Sequence, residues 1–424
     1  MSLKPFILLG ALMSLHFSVH SQVYFPSGDT IKVSSANELY VHEDLENNVT
    51  LAYITLSGSN AFNITGVGII ENLILNKSAG VATITSGMQT LTGVMTPTAG
   101  TLNANGFFTL KSTDSNTASI GQGSNLGGYI TGNVIAERYI PATGRRYRML
   151  TPSVNTTGSI KDNWMEGNMN LSSYSNVNSL PGYGTQVSGS GGNTNGFDVT
   201  GSNEASLYVT SNGTTPGYTS VSNTSGTLSA LTGYFLFIRG DRSMNMNLWN
   251  TNVAPSPIPL PSSSTTLRAT GTVVQGTVTN FTNALSSVAG GLSLITNPYP
   301  SAINWASVYT ASTNINNYYT YWDPNLGFRG GFTTVRTDGV SSPSSAATNI
   351  IQSGQAFFVT TTSGTPTISI QESHKDSVNN VHEIYKANKI IDDIASSKVK
   401  GISPSLENNQ PNLQPSRSEE RRVG

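Results

Sequence analysis

The 424-residue chain carries 22 Lys and Arg against 23 Asp and Glu, a formal net charge of -1, with only 11% charged residues. It is long enough for two or three domains with their own cores, and it lacks the basic excess that would replace phosphate counterions, which argues against nucleic acid as a partner. Cysteine is absent, which excludes disulfides, thiolate zinc sites and cysteine nucleophiles.

Lys4, the apolar run 6–17 and Val19-His20-Ser21 ahead of Gln22 have the layout of a secretory leader. A signal peptide over 1–21, cleaved near Ser21-Gln22, is therefore expected. The run is too short for a spanning helix, and no later stretch approaches that length, so no transmembrane segment is expected. Residues 22–48 form a polar segment in which VYFPSG and IKV read as short strands.

Between 49 and 131 the texture changes. The runs LAYITL (51–56), NITGVGIIENLIL (63–75), VATIT (81–85), LTGVM (91–95) and GFFTLKS (106–112) alternate with Gly/Asn/Ser turns. Short β-branched runs punctuated this way predict strands. Their recurrence at roughly twenty residues predicts β-solenoid-like rungs, each burying its apolar face on the next. Regular hairpins of a β-sandwich are the alternative. Residues 71–112 resemble the rungs of secreted bacterial adhesin-like proteins, a resemblance that implies a stalk and no chemistry.

The segment 132–152, GNVIAERYIPATGRRYRMLTP, crowds Arg138, Arg145, Arg146 and Arg148 into a chain sparing with charge. It reads as a strand over 133–140, a turn, and a returning strand over 146–150. One explanation is an anion site. The reading adopted is a polar lock in which Arg138, Arg146 and Arg148 pair with Glu137, Asp162 or Glu166 and stack on Tyr139 and Tyr147, joining scaffold to domain.

Residues 132–376 predict one all-β domain, sandwich-like or jelly-roll-like, built from many short strands with variable loops. Strands are expected at 205–210, 234–238, 266–272, 273–281, 292–295, 318–322, 332–336, 355–360 and 367–370, with a helix at 303–311. The Ser/Gly/Asn-rich stretch 170–195 is expected outside the core. Several motifs then occur in order: ERYIP (137–141), WMEG (164–167), NGFD (195–198), GYFLFIRGDR (233–242), LRATGT (267–272), LSLITNPYPSAINW (292–305), YWDP (321–324) and QSGQAFFV (352–359). Together they resemble an uncharacterised domain of large surface proteins exported by the type IX secretion system of Gram-negative bacteria. That resemblance carries no catalytic residues. After a spacer at 377–405, with a short amphipathic helix at 381–394, residues 406–416 (LENNQPNLQPS) resemble the opening of a truncated type IX sorting domain. RSEERRVG (417–424) resembles translated adaptor sequence, a non-native tail; a solvated charged terminus is the alternative.

Candidate chemistry is sparse. No histidine lies between Glu43 and Ser373, so a Ser-His-Asp triad or a His-rich zinc site within these domains is excluded. His374 and His382 are expected at the surface. Glycoside hydrolysis needs only two carboxylates. Asp162, Glu166, Asp198, Glu204, Asp241, Asp323 and Asp338 are available, with no spacing that selects a pair. Glycan binding would use Trp164, Trp249, Trp305 and Trp322 as stacking platforms; the contacts singled out are Trp305, Tyr321, Trp322 and Asp323, although the favoured reading is core aromatics followed by a turn at Asp323-Pro324. Arg239-Gly240-Asp241 reads as a strand-ending turn. No EF-hand or repeated calcium nonapeptide occurs, and neither a metal nor another cofactor is expected. The expectation is a secreted, non-enzymatic cell-surface structural or adhesion protein. Its partners would be the secretion machinery and cell envelope, with extracellular glycans or host and neighbouring-cell surfaces beyond. A glycan-binding module for polysaccharide capture is the first alternative and a two-carboxylate glycoside hydrolase the second.

Overall fold

The computed structural model describes residues 39–142, 144–171, 180–244, 262–327 and 330–377, together with the backbone of the short strands Val23–Phe25 and Thr30–Ile31. The expected leader, the spacer helix, the sorting-domain segment and the charged tail lie outside the described residues. The chain is all-β, with a β-solenoid-like N-terminal part and further sheets after it.

The solenoid follows from the recurrence in the sequence. Leu51, Ile70, Leu91 and Leu110 stack in one parallel ladder, at steps of 19, 21 and 19 residues. Ile54, Leu73, Met95 and Ile120 form a second. Phe62, Ala82, Leu102 and Ile130 form a third. Successive strand residues point to opposite faces, so each rung sends alternate side chains inward. All twelve of these are at most 4% exposed. Each buried Leu or Ile contributes about 1.5–3 kcal/mol. The longest strand, Gly68–Ile84, bends around three faces: its start pairs with Gln89–Leu91, its middle and end with Val94–Asn103.

Corners need backbone that few side chains permit. Gly87 has φ of +73°, and a Cβ there would lie 2.0 Å from the Gly66 carbonyl oxygen of the rung above. The same corner encloses buried polar groups. Asn47 Nδ2 donates to Gln89 Oε1 at 2.7 Å, while Gln89 Nε2 donates to the carbonyls of Gly66 (2.8 Å) and Thr65 (3.2 Å). At another corner the Lys77 ammonium is buried against Phe62, 4.3 Å from the ring centroid, and donates to the carbonyls of Asn60 (2.7 Å) and Ser57 (3.2 Å). Burial lowers its pKa.

The expected hairpin at 132–152 does not form. Val134–Ile140 pairs parallel with Phe108–Leu110 and antiparallel with Thr265–Val273, whereas Arg146–Leu150 pairs with Tyr234–Ile238 in another sheet. Val134, Ala136, Arg138 and Ile140 on one face and Glu137 on the other are all buried; the strand has ladder neighbours on both edges, and none is its sequence successor. It is at once a solenoid rung and a strand of the following domain. One 15-stranded sheet thus runs from the N-terminal strands to Val154–Thr156.

Beyond it, a four-stranded antiparallel sheet (Arg146–Leu150, Tyr234–Ile238, Leu207–Thr210, Tyr218–Ser220) faces a five-stranded one built on Leu292–Thr296, Ala356–Thr361 and Ile315–Asp323. Met149, Phe235, Leu294, Trp322, Ala356 and Phe358 pack between them. Some expectations change here. Only Thr265–Val273 is strand; residues 274–281 are loop, where Gly276 has φ of +74° and Thr277 turns its amide to Asn125 O. Residues 367–370 make isolated bridges to Thr313 and Val278. Helix Trp305–Thr310 is shorter than expected, because Ala302–Asn304 pairs as strand and Asn304 caps the helix by accepting from Ser307 N at 3.2 Å. The stretch 170–195 was expected outside the core, yet Thr185, Gln186 and Val187 are fully buried. The Asp198 carboxylate fixes them, accepting from Val187 N at 2.8 Å and Asn170 N at 2.6 Å.

Candidate functional site

Two groups of buried polar side chains lie where the solenoid meets the β domain. Arg138 is 8% exposed and its Nη1 reaches Thr117 Oγ1 at 3.5 Å. A cavity of about 10 Å³ beside it is lined by Ala136, Glu137, Thr151, Ser153 and Trp164, room for about one water. Arg146 bonds the Pro324 carbonyl inside the β domain; burial lowers its pKa and the Asp323 charge opposes that. Arg148 Nη1 donates to Arg146 O at 3.5 Å. The expected lock residues are therefore spread: Arg138 contacts the solenoid, whereas Arg146 bonds within the domain.

Glu137 also spans this junction. It pairs with Lys111 at 3.0 Å and accepts Ser112 N at 3.2 Å, both on the solenoid. Across the antiparallel ladder it faces Arg268, which chelates Glu166 through Nε at 3.1 Å to both carboxylate oxygens. That hydrogen bond raises the Arg268 pKa above its ordinary value against the opposing effect of burial. The guanidinium also lies 4.4 Å from the Tyr183 ring centroid.

A second cluster joins the same two parts from the other side. Glu372 is fully buried and accepts four hydrogen bonds: Tyr129 OH (2.8 Å), Gly276 N (2.8 Å), Gly123 N (2.9 Å) and Lys375 Nζ (2.7 Å). Lys375 Nζ also donates to Tyr129 OH at 2.9 Å and Gly121 O at 3.3 Å, and sits 4.5 Å from the Tyr299 ring centroid. Tyr299 OH donates to the Gly276 and Ile370 carbonyls. Burial pushes Lys375 down to about 8 while Glu372 opposes the shift. Burial, with the Glu372 charge adding, pushes Tyr129 and Tyr299 up. An ionised carboxylate offers about four lone-pair sites, and all four are taken. The group is arranged to hold structure. His374, expected at the surface, is 7% exposed because its Nδ1 closes the turn by accepting Gln371 N at 3.2 Å.

The glycan contacts singled out from sequence are core residues. Trp305 is 0%, Tyr321 4%, Trp322 6% and Asp323 4% exposed. Trp305 lies edge-on to Tyr319 and Phe357, and Trp322 edge-on to Phe235 and Phe332, so their ring faces meet protein. Asp323 accepts Ser345 Oγ at 2.5 Å and Asn325 N at 2.8 Å. These aromatics lie in the interior between and beneath the sheets.

Three more of the candidate carboxylates are also engaged. Asp198 and Arg242 form an ion pair with both side chains 0% exposed, at 2.9 and 3.1 Å. Asp162 caps Ser159, whose hydroxyl and amide hold its carboxyl below the usual range. Asp241 accepts Gly182 N at 2.7 Å and Ser243 N at 2.9 Å. Within the Arg239-Gly240-Asp241 tripeptide the two charged residues are 3% and 4% exposed, and Arg239 bonds Ser188 Oγ at 3.1 Å.

Sequence reading missed Glu372, Lys375 and Tyr129. Their only local signal is a Glu-x-x-Lys spacing, common on any surface turn. Among the described residues no group of three or more His, Asp or Glu is placed to hold a metal ion, and no helix is long and apolar enough to cross a membrane. No family model, curated protein or solved structure matches this chain.

Proposed function

We propose that this chain is a secreted cell-surface structural or adhesion protein without catalytic activity, exported by a type IX system. The observation that carries the reading is the solenoid running as one sheet into the β domain. Stacked rungs make an extended, self-supporting scaffold, the form suited to holding a domain away from a surface. The leader-like N-terminus, the ordered motifs from ERYIP to QSGQAFFV and the LENNQPN segment support the compartment. The commitment of Glu372, Asp198, Glu166 and Asp323 to protein donors supports a structural use of the charged groups.

The test has two arms. Antibody against the β domain should label intact cells of the producing bacterium, and external protease should remove the label. Signal that appears only after the outer membrane is permeabilised would overturn the reading. In the second arm, beads coated with the full chain are offered to glycan arrays and polysaccharides. Saturable binding to one glycan class would favour polysaccharide capture, and turnover abolished by a single carboxylate-to-amide substitution would favour a hydrolase.

A further inference from the structure

Solenoid and β domain are joined twice. The first joint is the shared strand Val134–Ile140, with ladders on both edges. The second is the short segment after Ile370: the 3-10 turn Glu372–His374 and the two-residue strand Lys375–Asp376, which pairs with Ala302 and Ile303. This segment owes few contacts to its own backbone. Its attachment rests on Glu372 and Lys375, whose partners Gly121, Gly123 and Tyr129 lie 243 to 254 residues earlier, in the last solenoid loop. Asn125 adds a bond from the same loop, its Oδ1 accepting Glu372 N at 3.2 Å.

A single shared strand leaves two bodies free to twist about it; a second attachment removes that freedom. We propose that residues 371–377 are a latch that fixes the solenoid to the β domain and opens when the chain beyond Ser377 is pulled. Three features point to it. A pull applied to the chain at Ser377 loads the adjacent strand Lys375–Asp376 before the elements that precede it in sequence. The segment's backbone ladder is two residues long, against seven for Val134–Ile140 with Thr265–Val273. Its hold on the solenoid comes from the charge-assisted hydrogen bonds that Glu372 and Lys375, a buried pair carried on the latch itself, make to Gly121, Gly123 and Tyr129; these break together when the segment lifts, so opening is abrupt and not gradual. Other bridges between the two bodies at this side, among them Gln275 with the Ile130 backbone at 2.7 and 3.0 Å, Thr277 N to Asn125 O at 3.1 Å and Ile120 N to Pro300 O at 2.9 Å, are ordinary neutral hydrogen bonds.

The chain has no cysteine, so an introduced pair reports cleanly. A Cβ on Gly121 would lie 3.7 Å from Ser377 Oγ. In full-length protein held by its two ends in an optical trap, the wild type should show an early event releasing about seven residues, about 2 nm of chain at 3.3–3.6 Å per residue. Gly121→Cys with Ser377→Cys should lose that event when oxidised and regain it on reduction. Hydrogen exchange supplies the second readout. Glu372→Gln and Lys375→Met should speed exchange at Gly123 and across 120–130 about tenfold, leaving 82–95 and 356–361 unchanged. An early event that persists in the oxidised pair, or exchange that rises everywhere or nowhere, overturns the latch.

Discussion

The contrast between two ion pairs shows what burial does to a charge. Arg336 and Asp338 are 58% and 48% exposed at 2.9 Å, and water screens them. Arg336→Ala should change stability by about 1 kcal/mol or less. Asp198 and Arg242 meet at the same distance with no exposure, and Asp198 also holds two backbone amides. Asp198→Ala strands a guanidinium and two N–H groups together, and should cost about 3–5 kcal/mol in a denaturant titration. Equal losses for the two variants would mean the interior pair is solvated. Lys375 gives a pH dependence. Its folded pKa of about 8 lies below the ordinary 10.5, so between these values the unfolded chain holds a proton that the folded chain has released. Stability therefore rises with pH across that window. Above it, Tyr129 and Tyr299 retain protons in the folded chain that the unfolded chain loses, and stability falls. Lys375→Met should reduce the rise between about pH 8 and 10.5 in melting curves to the part that buried Lys77 supplies, while keeping the fall.

At the scale of elements, the solenoid depends on corners as much as on its apolar ladders. Gln89 Nε2 and Oε1 bond the backbone or side chain of Asn47, Thr65 and Gly66 across neighbouring rungs. Gln89→Leu keeps the volume but leaves the Asn47 amide and the Gly66 carbonyl unpaired, at about 1–3 kcal/mol. Gly87→Ala should be worse, since its Cβ overlaps backbone and its φ is positive. Both are read by far-UV circular dichroism in urea, and a neutral Gly87→Ala would show that the corner relaxes. The rungs were legible in sequence because Ile64, Ile84 and Ala104 recur at 20-residue steps with polar residues on each side. The pairing of Val134–Ile140 was not legible. A strand buried on both faces does not name its neighbours, and Leu110 and Arg268 are 26 and 131 residues from their partners Ala136 and Glu137. The cluster of Trp305, Tyr321 and Trp322 was visible in the sequence, but aromatic content is the same for a sugar cleft and a sheet interior. Only burial separates them.

For the whole molecule, the question is whether the two parts melt as one. Domains joined by a linker unfold separately, whereas a shared sheet makes each part the edge cover of the other. The tryptophans, at 164, 249, 305 and 322, all follow the solenoid, so fluorescence reports the β domain while circular dichroism reports both parts. With Val134–Ile140 paired on both edges and Glu372 tied to Tyr129, the two signals should trace one transition in guanidinium. Ile135→Pro tests the cause. Ile135 is paired with Thr109 on one edge and Thr270 on the other, and proline inside a strand with two neighbours removes a ladder donor and clashes, at about 3 kcal/mol or more. The solenoid should then lose its cover and melt first, so that circular dichroism falls before fluorescence. Two separate transitions in the unaltered chain would show instead that the continuous sheet is a contact and not a coupling.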